Sequence, residues 1–290
     1  MRFLNPKTDF AFKRIFGSAE SSDILISFLN AILALKSPLC IAEVTILDPY
    51  LAPKIKGMKD TYLDVKAKDE QGKSYIIEMQ VLNVEGFEQR ILYNACKAYS
   101  SQLDSGQSYH TLTDVIAITI TDFLMFKELP EVVNRFKLRA ESGHVYHDDL
   151  ELVFAELPKF NKSEDELNTL LERWFYFLKC AGSLEAVPKS LQADSAISHA
   201  FKIANKAGLS REELDDQEHR EIFIQDQRGR LSLAKKQGLQ QGLQQGREEG
   251  RVEGAITTQM SIAQSLLPLL NDAEIASSTG LSIEEVQKLR

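Results

Sequence analysis

Apolar residues recur at three- and four-residue spacing over residues 9–16 (Phe10, Phe12, Ile15, Phe16) and over residues 22–35 (Ile24, Leu25, Phe28, Leu29, Ile32), which predicts two amphipathic helices. Thr8 is placed to cap the first and Gly17 to end it. Residues 41–47 read as a strand closed by Asp48-Pro49, and a loop follows over residues 50–59. Residues 62–81 hold two short apolar runs around Glu70-Gln71-Gly72, the composition of a three-residue hairpin turn with Gly72 in the left-handed position. A long helix is predicted for residues 85–103, with Phe87, Ile91, Leu92, Ala95 and Tyr99 on its apolar face. Residues 114–121, DVIAITIT, are nearly all apolar or β-branched, the pattern of a strand covered on both faces.

Beyond this point strands are predicted at residues 132–140 and 150–157. A helix opening at Ser163, with Glu166 completing a capping box, turns Leu167, Leu170, Leu171, Trp174, Phe175 and Leu178 inward. Further helices are expected over residues 188–206 and from Ser210, where Glu213 completes a second box. The leading order of helix, strand, strand, strand, helix, strand joins an antiparallel hairpin to a strand–helix–strand crossover. The expected fold class is therefore α/β, a mixed sheet flanked by helices.

The hairpin carries polar residues where a core strand should not have them. Glu78 and Gln80 share one face of their strand, and Ile77 and Met79 share the other. Closing Asp69 onto Lys73 sets Asp64 opposite Glu78, where Cβ atoms sit roughly 5 Å apart. Carboxylates that close repel unless a proton or a cation lies between them. A hard cation such as Mg²⁺, taken by one or two carboxylates together with a phosphate, resolves the repulsion. The other reading is a solvated acidic hairpin face, and a two-residue loop would flip the register and separate the pair.

The pattern of a strand Asp followed by E-x-Q resembles the active site of the PD-(D/E)xK nuclease superfamily, and the αβββαβ order is that of its restriction-endonuclease-like core. The resemblance is closest to the recombination-promoting nuclease and transposase family. It is carried by PKTDFAFKRIFG, LDVKAKDEQGKSYIIEMQ, QRILYNACKAYSSQL, SGQSYHTLTDVIAITITDF, ELPKF and LLERWFYFL, and spans roughly residues 5–225. It implies metal-dependent DNA cleavage linked to recombination or mobile elements. By motif position Asp64 and Glu78 are the metal ligands, and Gln80 stands where the family pattern has lysine. Neutral Gln80 can hydrogen-bond but cannot offset charge. Lys66, two residues from Asp64 on its face, is the nearest substitute in sequence.

Other candidates surround this site. Asp9 and Lys13 are one helical turn apart, as an exposed ion pair or as an auxiliary carboxylate and a DNA contact. Lys54, Lys56 and Lys59 in the preceding loop, and Arg90 and Lys97 on the long helix, are placed to meet phosphates. His144 and His147 near Asp148-Asp149 lack a closed zinc set and read as a polar turn.

Net charge is −8 with pI near 5.3, which argues against a general nucleic-acid coating protein but leaves a nuclease with a locally positive face. Cys40, Cys96 and Cys180 are odd in number and widely spaced, no apolar run approaches about 20 residues, and the N-terminus has no signal-peptide apolar stretch. The expectation is a cytoplasmic protein without a membrane segment. Glycines at 238, 242, 246, 250 and 254 recur every four residues, as a self-associating helix or as a flexible linker. The expected organisation is a nuclease-like core over residues 1–160, a packed helical extension over 161–225, the glycine repeat over 226–255, and a small helix-turn-helix-like tail over 256–290. The tail's second helix opens Ser282-Ile283-Glu284-Glu285, too acidic for a DNA-reading helix and better suited to packing or oligomerisation. Two functions stand: a Mg²⁺-dependent DNA endonuclease (Mn²⁺ a possible substitute), homo-oligomeric through its repeat, or an inactive nuclease fold used as a DNA-binding scaffold.

Overall fold

In the computed structural model, which describes residues 2–51 and 61–290, the chain is organised around the hairpin of β4 (Val65–Asp69) and β5 (Ser74–Gln80). Asp69 and Lys73 close the turn through an Asp69 N–H···O bond of 3.1 Å, and Gly72 takes φ 84°. The strands pair Val65 with Ile77 and Lys66 with Ile76, the expected register. Ahead of the hairpin lie α1 (Asp9–Phe16), α2 (Ser22–Ile32) and β1 (Val44–Leu47). Thr8 caps α1 by accepting from the Ala11 N–H. Two short strands, β2 (Tyr50–Leu51) and β3 (Thr61–Tyr62), form their own ladder, with Tyr50 and Tyr62 stacked at 4.9 Å. Residues 50–51 were expected in a loop and residue 62 in the hairpin strand. β4 instead starts at Val65, because the chain turns at Asp64.

Beyond the hairpin come α3 (Phe87–Ser100), β6 (Val115–Thr121), β7 (Val133–Arg139) and β8 (Val145–Glu156). Among the described residues the main sheet has the order β1-β4-β5-β6-β8-β7. β5, β6 and β8 run parallel, and the remaining pairs are antiparallel. Every residue of β6 is buried, since helices cover both faces. One face packs Val65, Ile77, Met79 and Ile118 against α1, α2 and the later helices α4 (Leu170–Cys180) and α6 (Ser195–Ile203). The other face sets Ile76, Val115 and Ala117 against Ala95 and Ala98 of α3.

Local chemistry moved several boundaries. The Ser163–Glu166 box caps only a single 3₁₀ turn, and a second box, Thr169 with Glu172, starts α4 six residues later. The helix expected over residues 188–206 is broken into α5 (Lys189–Gln192) and α6. Leu92, assigned to the buried face of α3, is 49% exposed, because the helix turns Asn94 inward instead. His147 lies on β8 and pairs with Asp149 at 2.9 Å. Among the described residues no group of three or more His, Cys, Asp or Glu could hold a metal by itself.

The chain divides into a unit ending at Gln225 and a unit beginning at Asp226. The boundary falls within α7 (Arg211–Leu266), which passes helically through the whole glycine repeat. Each interior glycine costs a helix roughly 1 kcal/mol relative to alanine, but the surrounding Leu, Gln, Glu, Arg and Lys are strong helix formers. In the second unit, α8 (Asp272–Thr279) and α9 (Ile283–Lys288) close over Ala263, Ile275, Leu281 and Val286, with Gly280 at φ 77° between them. Among the described residues no helix is long and apolar enough to cross a membrane.

Candidate active site

The site is set by the edge of the β4–β5 pairing. Val65 faces Ile77 in the last pair of the ladder, and Asp64 and Glu78 are the next residue on each chain. Asp64 takes over the ladder with its side chain: its Oδ2 accepts from the Met79 N–H at 2.8 Å. Both carboxyls lie nearly out of solvent, with side chains 17% and 13% exposed. Glu78 Oε1 accepts from Asn94 Nδ2 at 2.7 Å, and its Oε2 lies 4.0 Å from the Arg90 guanidinium.

Burial pushes the Asp64 carboxyl up to about 7. The neighbouring Asp9 adds to this, while the Met79 N–H and the Lys13 ammonium oppose it. Burial also raises Glu78, against the pull of Asn94, Arg90 and Lys13. Burial alone would raise Asp9 too, but the bond from Lys13 and the Asp64 carboxyl acting as donor carry it below the usual range. The two neighbouring carboxyls are shifted in opposite directions, Asp64 up and Asp9 down.

The expected residues divide clearly by location. Asp9, Lys13 and Asp64 form one contact group and Glu78, Arg90 and Gln80 a second, and the Lys13 charge is also felt by Glu78. Lys13 Nζ lies 2.7 Å from Asp9 and 3.6 Å from Asp64 Oδ1. Arg90 donates to Gln80 Oε1 at 2.9 Å, and Gln80 Nε2 donates to the Leu82 carbonyl at 2.8 Å. Lys66, the substitute suggested by spacing, is half-buried on β4. Burial lowers its pKa, and the attracting carboxylate it feels is Asp48. Among the described residues the lysine in ion-pair reach of Asp64 is Lys13. Lys97, expected on a DNA-facing side, is 5% exposed and donates to Thr61 Oγ1 at 3.1 Å. It lies one turn beyond Asn94, and the small Ala95 and Ala98 draw that side of α3 onto the sheet. Lys54, Lys56 and Lys59 lie outside the described residues.

Two residues join the site without having been anticipated. Asn94 is 1% exposed, fixes Glu78, and keeps a buried Oδ1 without a hydrogen-bond partner. A polar residue among Ile91, Ala95 and Ala98 on the inner side of α3 was the signal for it. Arg220, on the first part of α7, donates to Asp9 Oδ2 at 3.0 Å. Nothing local in the sequence links residues 211 positions apart.

The donors suit a hard divalent cation. They are carboxylate and amide oxygens, the Asp64 and Asp9 carboxyls interact directly, and the buried Asn94 Oδ1 has no hydrogen-bond partner. A cation that keeps several waters needs only one or two protein carboxylates.

A mixed sheet covered by helices on both faces, with an acidic pair at the end of its central hairpin, is a restriction-endonuclease-like nuclease fold. The chain belongs to the PD-(D/E)XK nuclease family transposases, whose family model matches residues 6–234. That span holds every site residue named above. No curated protein and no solved structure matches the chain.

Proposed function

We propose that the protein is a divalent-cation-dependent DNA endonuclease, acting in recombination or on mobile elements, with Asp64 and Glu78 as ligands of Mg²⁺ or Mn²⁺. The observation that carries this reading is the hairpin register. The ladder ends with Val65 opposite Ile77, and the two flanking carboxyls are each anchored at that end, Asp64 by the Met79 N–H and Glu78 by Asn94. When bound, the cation supplies an activated water and offsets charge on the phosphate. The chain's own residues prepare for it. Met79 and Asn94 fix one oxygen of each carboxyl, while the second faces a cationic side chain: Asp64 Oδ1 lies 3.6 Å from Lys13 Nζ and Glu78 Oε2 lies 4.0 Å from Arg90. The raised pKa values make deprotonation and cation binding a single linked event. Arg90 sits 44% exposed at the rim, where it can take a DNA phosphate.

A second reading, an inactive nuclease fold that binds DNA as a scaffold, is favoured by Gln80, both ends of whose amide are already engaged. The helical glycine repeat, exposed along its length, suits self-association in either reading. The free cysteines suit a reducing, cytoplasmic setting.

The two readings separate on supercoiled plasmid with Mg²⁺ or Mn²⁺. The nuclease reading expects nicking by the purified protein that EDTA and Asp64→Ala each abolish, with the fold retained by circular dichroism. Folded protein that shifts plasmid on a gel without cutting it under either cation would establish the scaffold.

A further inference from the structure

The site lacks a lysine on β5, and the local structure leaves no room for Gln80 to act as one. Its amide is committed to Arg90 and to the Leu82 carbonyl. A positive charge does reach the acidic pair, from a different element. Lys13 on α1 places Nζ 3.6 Å from Asp64 Oδ1, and its side chain is 41% exposed. The fold is shaped to bring it there. Gly17 ends α1 against β4 so closely that a Cβ would meet the Val65 side chain at 3.3 Å and the Asp64 carbonyl at 3.6 Å. The ammonium is steadied by Asp9 at 2.7 Å, and Asp9 is itself held by Arg220 at 3.0 Å. The first turns of α7 are fixed to α1 at two more points, Arg14 to Glu213 at 2.7 Å and Thr8 to the buried Gln217 at 3.1 Å.

We propose that Lys13 supplies to the scissile phosphate the positive charge that Gln80 does not, as a catalytic residue, and that Asp9 and Arg220 are its positioning residues. The assignment rests on the nuclease reading. In the step, a water oxygen bonds to phosphorus while the bond from phosphorus to the leaving sugar oxygen breaks. The water gives up a proton to bulk solvent, and the leaving oxygen takes one from it. Lys13 donates to a non-bridging phosphate oxygen throughout, where charge accumulates.

The test compares wild type with Lys13→Met, Lys66→Met, Arg220→Gln and Arg220→Lys in plasmid nicking, Mn²⁺ titration calorimetry and thermal unfolding. Lys13→Met is expected to cut at least about 100-fold more slowly, the usual loss on removing one charge-stabilising donor. It should bind Mn²⁺ at least as tightly as wild type, because an opposing charge beside Asp64 is gone. Lys66→Met should cut within about threefold of wild type. Arg220→Gln should lower kcat while leaving the KM for plasmid unchanged, and Arg220→Lys should recover most of the loss. The inference is overturned if Lys13→Met cuts normally, if Lys66→Met carries the loss instead, or if the Lys13→Met loss follows lost folding or lost Mn²⁺ binding. Wild-type protein that neither binds Mn²⁺ nor nicks DNA would overturn the nuclease reading and this assignment with it.

Discussion

Asp64→Asn should make the protein more stable at pH 8 while abolishing its activity. The wild-type carboxyl is 17% exposed, and burial beside Asp9 raises it to about 7 in the folded state, whereas an unfolded Asp titrates near 3.9. The folded protein therefore binds more protons than the unfolded chain between these values. The Asp64 contribution to stability is fully present below about pH 4 and is lost as pH rises through about 7. Between pH 5 and pH 8 the loss corresponds to about two pKa units, at ~1.4 kcal/mol each, or about 3 kcal/mol. An Asn side chain keeps the acceptor for the Met79 N–H and has no charge to bury. Urea unfolding with EDTA present, at pH 5 and pH 8, should show the variant gaining on wild type by up to about 3 kcal/mol across that range. A difference that stays flat with pH, or a variant that loses ground at pH 8, would refute the assignment of the raised pKa to Asp64.

Three further outcomes follow from the geometry. Asn94→Ala removes the bond that fixes Glu78 and should destabilise by about 1.5–3 kcal/mol in denaturant melts, with nicking reduced at least tenfold; unchanged nicking would remove Asn94 from the site. Gly17→Val should lower the melting temperature, because its branched side chain must enter space bounded by Val65 and the Lys13 carbonyl, the latter 2.9 Å from a Cβ. A variant that melts with wild type would show that α1 has room to move. Arg90→Ala should weaken DNA binding and reduce its salt slope by about 1, whereas Lys97→Met should leave the slope unchanged because Lys97 is already buried on Thr61; the reverse result would place DNA on the other side of α3.

What the sequence made legible is what short-range rules govern. The hairpin register followed from Gly72 and strict alternation, and Val65 pairs with Ile77 as that register requires. The buried character of β6 was written in its run of β-branched residues. Failures came where neighbours far along the chain decide. Lys66 is close to Asp64 in sequence, yet Lys13 is the lysine that reaches it, because α1 packs at the start of β4. Lys97 has the spacing of an exposed residue but falls on the side that Ala95 and Ala98 press inward. Two adjacent capping boxes competed for one helix, and the one followed directly by the apolar run prevailed. Arg220 reaches Asp9 only because the first turns of α7 pack beside α1, an arrangement that local pattern does not encode.

The central claim is that the hairpin carboxylates hold the cation. Crystals grown with Mn²⁺ and measured at a wavelength where manganese scatters anomalously test it most directly. An anomalous peak bonded to Asp64 and Glu78, absent from crystals of Asp64→Asn, is expected. A peak elsewhere, or none while the protein still cleaves DNA, would contradict it.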